Sequence, residues 1–308
     1  MLARGSTLGP YELDARLGSG GMGEVYRARD TRLGRIVAIK VLSPRVSHDE
    51  NVRKRFLREA RAISSLNHPH ICALYDIGRD NGSDFLVMEY LEGETLAQRL
   101  ARERLHYDEA LRYAIEIASA LERAHRQGVV HRDLKPANIM VTRTGAKLLD
   151  FGLARLAASG EESSIGPLTG DDSMIGTIEY MSPEQLKGEA ADARSDIFSF
   201  GILMHEMVTG ARPFEGANRA SVMGSILFAP YVSGHSQEVM FPDSVDRLIG
   251  ACLEKNPDDR IQTARDLRRE LEWIRDGTSA HVSRRKRKVP KAVILSMLLG
   301  AAVLAGAA

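Results

Sequence analysis

Only two cysteines, Cys72 and Cys252, occur among the 308 residues, and neither belongs to a C-x-x-C pair or a Cys/His cluster. That argues against a disulfide framework or a zinc site and fits a reducing compartment. An excess of one charge is missing too: 42 basic and 41 acidic side chains nearly cancel, so no global field recruits nucleic acid. The N-terminus lacks the basic-then-apolar pattern of a signal peptide, because Gly5, Gly9 and Pro10 interrupt it. There is no internal repeat and no long low-complexity tract. Aromatic residues are few, and the single tryptophan, Trp273, reads as a packing residue. With 44% hydrophobic and 27% charged residues, the composition is that of an ordinary globular protein, long enough for one large domain or two modest ones.

The chain does carry a compact polar string, His131-Arg132-Asp133-Leu134-Lys135-Pro136-Ala137-Asn138, between the β-like runs Val129-Val130 and Ile139-Met140-Val141. Asp150-Phe151-Gly152 follows. This set suits phosphoryl transfer, in which one carboxylate orients a hydroxyl and further oxygen ligands hold Mg²⁺ on the phosphates. Upstream, Leu17-Gly18-Ser19-Gly20-Gly21-Met22-Gly23-Glu24-Val25 places glycines where a backbone can approach phosphate oxygens without a Cβ in the way. Dinucleotide-binding folds share that spacing, but there the glycines open a helix. Here Glu24 to Arg29 alternates like a strand and no repeated βαβ units follow, which rejects a dinucleotide-dependent oxidoreductase.

Val37-Ala38-Ile39-Lys40 then sets a lysine on an apolar strand, where desolvation is costly unless the ammonium meets anions. The periodicity predicts a helix over 52–66 with Phe56, Ala60 and Ile63 on its apolar face and Glu59 beside them. His68 and His70, in the turn that ends it, have no third metal ligand nearby and read as turn residues. A second helix, over 108–126, aligns Leu111, Ala114, Ile117, Ala118, Leu121 and His125, with Gly128 at its stop. It reads as a core helix without chemistry of its own.

These motifs resemble the eukaryotic-like serine/threonine protein kinases, in their bacterial membrane-anchored receptor branch, over roughly residues 11–274. The resemblance implies an α+β, bilobal kinase fold with a β-rich small lobe (11–91) and a mostly helical large lobe (92–275). It also implies ATP and Mg²⁺, with Mn²⁺ as a substitute, as cofactors and protein serine or threonine hydroxyls as substrates. On that footing Asp133 receives or orients the hydroxyl proton, and Asn138 and Asp150 hold the metal. Lys40 and Lys135 neutralise phosphate charge, and Glu59 pairs with Lys40. Residues 17–25 cover the phosphates, Val25 and Ala38 lie above the adenine, and Met140 lies below it. Met88 is the gatekeeper, and Glu89 to Leu91 form the hinge. Glu184 pairs with Arg260, and Asp196 holds the catalytic-loop backbone. Lys135 and Thr177 fit the serine/threonine class rather than the tyrosine class. A catalytically dead scaffold is the competing reading, and intact Lys40, Asp133, Asn138 and Asp150 weigh against it.

Regulation is expected at Arg132, an arginine beside a catalytic carboxylate that needs an anion to compensate it. In the family that anion is phosphate on the segment from Asp150 to Glu184, where Thr169 and Ser173 are the candidate acceptors. Asp171 and Asp172 between them either supply part of that negative charge or are solvated loop charges. Residues 1–10 read as an N-terminal extension and 276–291 as a basic linker containing Arg284 to Lys288. Residues 292–308 are uncharged and read as a transmembrane helix at the short limit, with the kinase on the cytoplasmic side. Either that span is cut short at residue 308 or it is a tail anchor. A homodimer phosphorylating itself in trans is a further expected partner.

Overall fold

The structure is a computed structural model that describes residues 2–20, 23–43, 50–151, 178–234 and 241–287. Residues 1–271 form one compact unit and 272–308 a second. In the first unit, the strands β1 (Thr7–Leu8), β2 (Tyr11–Gly20), β3 (Gly23–Asp30), β4 (Arg35–Leu42), β5 (Leu74–Asp80) and β6 (Ser83–Glu89) make an antiparallel sheet in the order β1-β2-β3-β4-β6-β5. Alternation sends Leu13, Tyr26, Ala28, Val37, Ile39, Phe85 and Val87 to one buried face. Leu8 and Tyr11 join this core, so the sheet begins inside the stretch read as an extension. Helix α1 (Glu50–Ser64) has Phe56, Ala60 and Ile63 buried, as its periodicity predicts.

Gly23 opens β3 at φ +141°, and a Cβ there would lie 1.8 Å from the Val41 carbonyl oxygen. Its missing side chain is therefore required by the approach of β4, a packing reason that the spacing of the glycines does not show. Gly23→Ala is expected to lower stability by about 1–3 kcal/mol, read as a lower thermal midpoint. At Gly18 a Cβ would meet nothing within 4 Å, so Gly18→Ala should shift stability by less than about 0.5 kcal/mol. Equal losses at the two positions would contradict this account.

The large lobe begins with β7 (Gly93–Thr95) and α2 (Leu96–Arg102), which Thr95 and Gln98 start with a reciprocal capping box. Helix α3 (Tyr107–His125) follows, its apolar face buried and Gly128 beyond it at φ +73°. Strands β8 (Ile139–Thr142) and β9 (Gly145–Leu148) pair as a hairpin, and β8 also pairs with β7 to complete a three-stranded sheet. Next come α4 (Pro183–Leu186), α5 (Ala193–Thr209), α6 (Arg219–Phe228), α7 (Asp243–Cys252) and α8 (Ala264–Arg287). Helix α5 is buried along nearly its whole length, and Gly201 lets α7 approach, since a Cβ there would sit 2.7 Å from that of Cys252.

The C-terminal end adds detail to one expectation and changes another. The stretch read as a linker from residue 276 is helical to Arg287, because extending a formed helix adds a hydrogen bond per residue and outweighs local propensity at Gly277. Within the second unit Trp273 is 75% exposed and is not a core residue. No helix among the described residues is long and apolar enough to cross a membrane; the expected span, 292–308, lies outside them.

Candidate active site

The loop before Asn138 has few regular backbone partners, so its buried amides need others. Asp196, on α5 and 1% exposed, provides them. It accepts from the backbone N–H of His131 at 2.7 Å and of Arg132 at 2.8 Å, and contacts His125 Nε2 at 2.8 Å. Arg132 is thereby held at φ +62°, a left-handed conformation that a long side chain keeps only where its surroundings over-determine it. His125 thus has a role, on a helix that the sequence reads as chemically silent. Buried His131 reaches the Leu149 carbonyl with Nε2 at 2.9 Å and packs on Phe151, ring centres 4.7 Å apart.

Asp133 is the convergence point. Its Oδ2 accepts from Asn138 Nδ2 at 2.8 Å and lies 3.0 Å from Lys135 Nζ. Asn138 Nδ2 also donates to the Asp133 carbonyl at 2.8 Å. With its nitrogen committed twice, Asn138 has its carboxamide oxygen left to meet a cation. The short 3₁₀ turn Pro136–Asn138 makes this possible, folding Asn138 back over the aspartate.

The expected pairing of Lys40 with Glu59 is not what the structure contains. Lys40, only 7% exposed, sits 2.8 Å from Asp150 Oδ2, and Glu59 Oε1 lies 3.5 Å from Arg132. The physical reason is reach. A buried ammonium takes the carboxylate within contact distance, and Asp150, at φ +45°, presents one to it. Glu59 then meets the cation of the catalytic loop instead, so four charges resolve into two pairs that differ from the expected one.

Around them lie the expected nucleotide residues. Ala38 faces Met88 across β4 and β6, and Val25 faces Lys40 across β3 and β4. Met140 faces Lys147 on the β8–β9 hairpin. Leu91 is half-buried and Leu17 exposed. Gly18, Ser19 and Gly20 pair with Val25, Glu24 and Gly23 as the glycine hairpin closes. Glu24 is engaged by the Tyr26 hydroxyl at 2.5 Å and by Arg16 at 3.0 Å. Gly21 and Met22 lie outside the described residues.

Where the segment after Asp150 rejoins the large lobe, Glu184 and Arg260 form a bidentate pair, both bonds 2.8 Å, as the resemblance implies. The Ser195 hydroxyl adds a bond of 2.6 Å to Glu184. Burial alone would raise the Glu184 carboxyl, but Arg260 and Ser195 hold it down at about 2. Gln185, which the sequence did not single out, donates to the Arg132 carbonyl at 3.0 Å and ties this end to the catalytic loop. Thr169, Ser173, Thr177, Asp171 and Asp172 lie outside the described residues.

No group of three or more His, Cys, Asp or Glu among the described residues could hold a metal alone. Asn138 and Asp150 offer two hard oxygen donors, the limited protein set with which Mg²⁺ binds alongside phosphate oxygens and water. The donor set fits.

The family model for the protein kinase domain matches residues 11–272. A probable serine/threonine-protein kinase of Streptomyces coelicolor is 43% identical over 276 residues, covering 87% of this chain and 40% of the relative. Serine/threonine-protein kinase PknB of Mycolicibacterium smegmatis is 41% identical, covering 87% of this chain and 43% of the relative. The chain thus spans about 40% of the length of the curated relatives it matches. A crystal structure of the Mycobacterium tuberculosis PknI kinase domain superposes with a TM-score of 0.69 at 27% identity, over 90% of this chain and all of that one.

Proposed function

We propose that this chain, which belongs to the protein kinase family, transfers the γ-phosphoryl group of ATP to serine and threonine hydroxyls of proteins. The observation that carries the reading is the arrangement at Asp133: a carboxylate held by Asn138 and Lys135, with Asp150 at the start of the next segment. Asp133 receives the hydroxyl proton and aims the oxygen at the phosphorus. Lys135 and Lys40 balance charge on the phosphoryl oxygens as it shifts toward the leaving diphosphate. Asn138 and Asp150 would hold Mg²⁺, which when bound would supply positive charge against the phosphate oxygens. Ala38, Val25, Met88, Met140 and the main chain of Glu89 to Leu91 form the adenine subsite, with residues 17–25 over the phosphates.

The pairs Lys40–Asp150 and Glu59–Arg132 favour a resting state. In the working form Asp150, released from Lys40, would be available to hold Mg²⁺, Glu59 turns to Lys40, and phosphate on Thr169 or Ser173 occupies Arg132. We assign 11–275 to the kinase domain, 276–291 to a basic linker and 292–308 to a single membrane span with the kinase on the cytoplasmic side. The basic run before an uncharged segment supports that assignment. Trans-autophosphorylation in a homodimer belongs to the same reading, and nucleic acid does not.

Incubating the protein with labelled ATP and Mg²⁺, then mapping phosphosites by mass spectrometry, tests it. Phosphate on its own Ser/Thr residues and on a generic basic protein, lost on chelation, is expected. ATP binding without transfer to any hydroxyl would favour the scaffold reading instead.

A further inference from the structure

Glu89 ends β6, where the chain passes from the small lobe to the large one. Its backbone amide donates to the Ala73 carbonyl at 2.9 Å, and its carboxylate accepts from the Ala73 amide at 3.3 Å. The same carboxylate takes Lys147 Nζ on both oxygens, at 2.6 and 2.8 Å. The two side chains are only 25% and 15% exposed, so the pair is shielded more than a surface ion pair, which contributes little.

Lys147 rides on a strand with little freedom. Next to it the Ala146 amide donates to Glu116 on α3 at 2.7 Å. On the other side Leu148 exchanges backbone bonds with His70 and Cys72, each 2.9 Å. Across the hairpin Lys147 faces Met140. A charged clamp therefore runs from a braced strand under the cleft to the residue that starts the hinge.

We propose that Lys147 is a positioning residue for the nucleotide: by gripping the Glu89 carboxylate it fixes the spacing between the hinge main chain and the Met140 floor. The inference rests on the reading of the cleft as an ATP site. Lys147 itself need not touch the nucleotide. Without it, the Glu89 carboxylate is left partly buried with one weak amide donor, and recovers its hydration by turning outward. The hinge peptide that follows Glu89 turns with it, and the subsite loses its preorganised width.

ATP affinity by calorimetry and initial rates on the full-length chain test this. Lys147→Met is expected to raise both Kd and KM for ATP about tenfold, with kcat at saturating ATP within about twofold of wild type. KM for the protein substrate should not move. Lys147→Arg, which keeps the charge, should recover most of the affinity. Glu89→Gln should reproduce the defect, and combining it with Lys147→Met should add little. An unchanged ATP Kd in both folded single variants would overturn the proposal. So would a higher kcat at unchanged Kd, which would make the pair a restraint on lobe movement. If the wild-type chain bound no ATP, the cleft reading would fall first and this inference with it.

Discussion

Asp133→Asn is expected to reduce phosphoryl transfer by roughly 10²- to 10⁴-fold while leaving ATP affinity within about twofold of wild type. The substitution preserves shape. The new carboxamide oxygen can still accept from Asn138 Nδ2, which now bonds Oδ2 at 2.8 Å. What disappears is the basic oxygen proposed to receive the hydroxyl proton, together with the charge that holds Lys135 Nζ at 3.0 Å. Because the proposed role of Asp133 is on the attacking hydroxyl rather than on the nucleotide, the loss should fall on kcat. Steady-state rates and nucleotide titration of the same preparation decide it. Activity within about threefold of wild type, at unchanged ATP affinity, would remove Asp133 from its assigned role.

Breaking the Glu184–Arg260 pair should produce the largest loss of stability. Arg260 is 3% exposed and Glu184 5%. The guanidinium also donates to the carbonyls of Arg194, Glu254 and Lys255, at 3.1, 2.6 and 3.0 Å. Removing one partner leaves an uncompensated buried charge, at a cost of about 3–5 kcal/mol. For a unit of this size that lowers the thermal midpoint by about 10 °C. Arg260→Ala should cost at least as much as Glu184→Ala, because it also strands the three carbonyls.

The pH dependence gives an independent signature. The folded carboxyl of Glu184 sits at about 2, against 4.5 for the ordinary group. Its folded value is therefore depressed, and the unfolded chain takes up the proton first as pH falls. The stabilisation is complete above about pH 4.5 and lost as pH drops toward 2, a change on the order of 3 kcal/mol. Glu184→Gln should be less stable at neutral pH and should lack this part of the acid slope. Stability curves of the wild type and the Glu184→Gln variant that run parallel from about pH 6 to about pH 3 would refute the linkage.

Much of the site was legible in the chain because its parts are local. Asp133, Lys135 and Asn138 fall within one tight turn, and the 3₁₀ geometry follows from Pro136 and the short spacing. The apolar run leading to Lys40 and the helix periodicity around Phe56 likewise pointed to residues that are buried. The glycine run was legible as a hairpin, but the packing constraint on Gly23 was not. It lies in the Val41 carbonyl, on a strand whose distance from Gly23 is set only once the sheet forms.

Side-chain partners across the cleft depended on the fold. Whether Lys40 meets Glu59 or Asp150 turns on a few ångströms of placement between α1, β4 and the loop after Leu149. No sequence period encodes such a distance, because an ion pair depends on separation in space and on local screening. The clamp between Glu89 and Lys147, the Gln185 bond to Arg132 and the His125 contact to Asp196 were missed for the same reason. Each joins residues far apart in the chain. Residue chemistry and local geometry by themselves indicated which groups suit the proposed phosphoryl transfer. The packing of the lobes decided which charges neutralise one another, because that choice is made by distances that exist only in the folded chain.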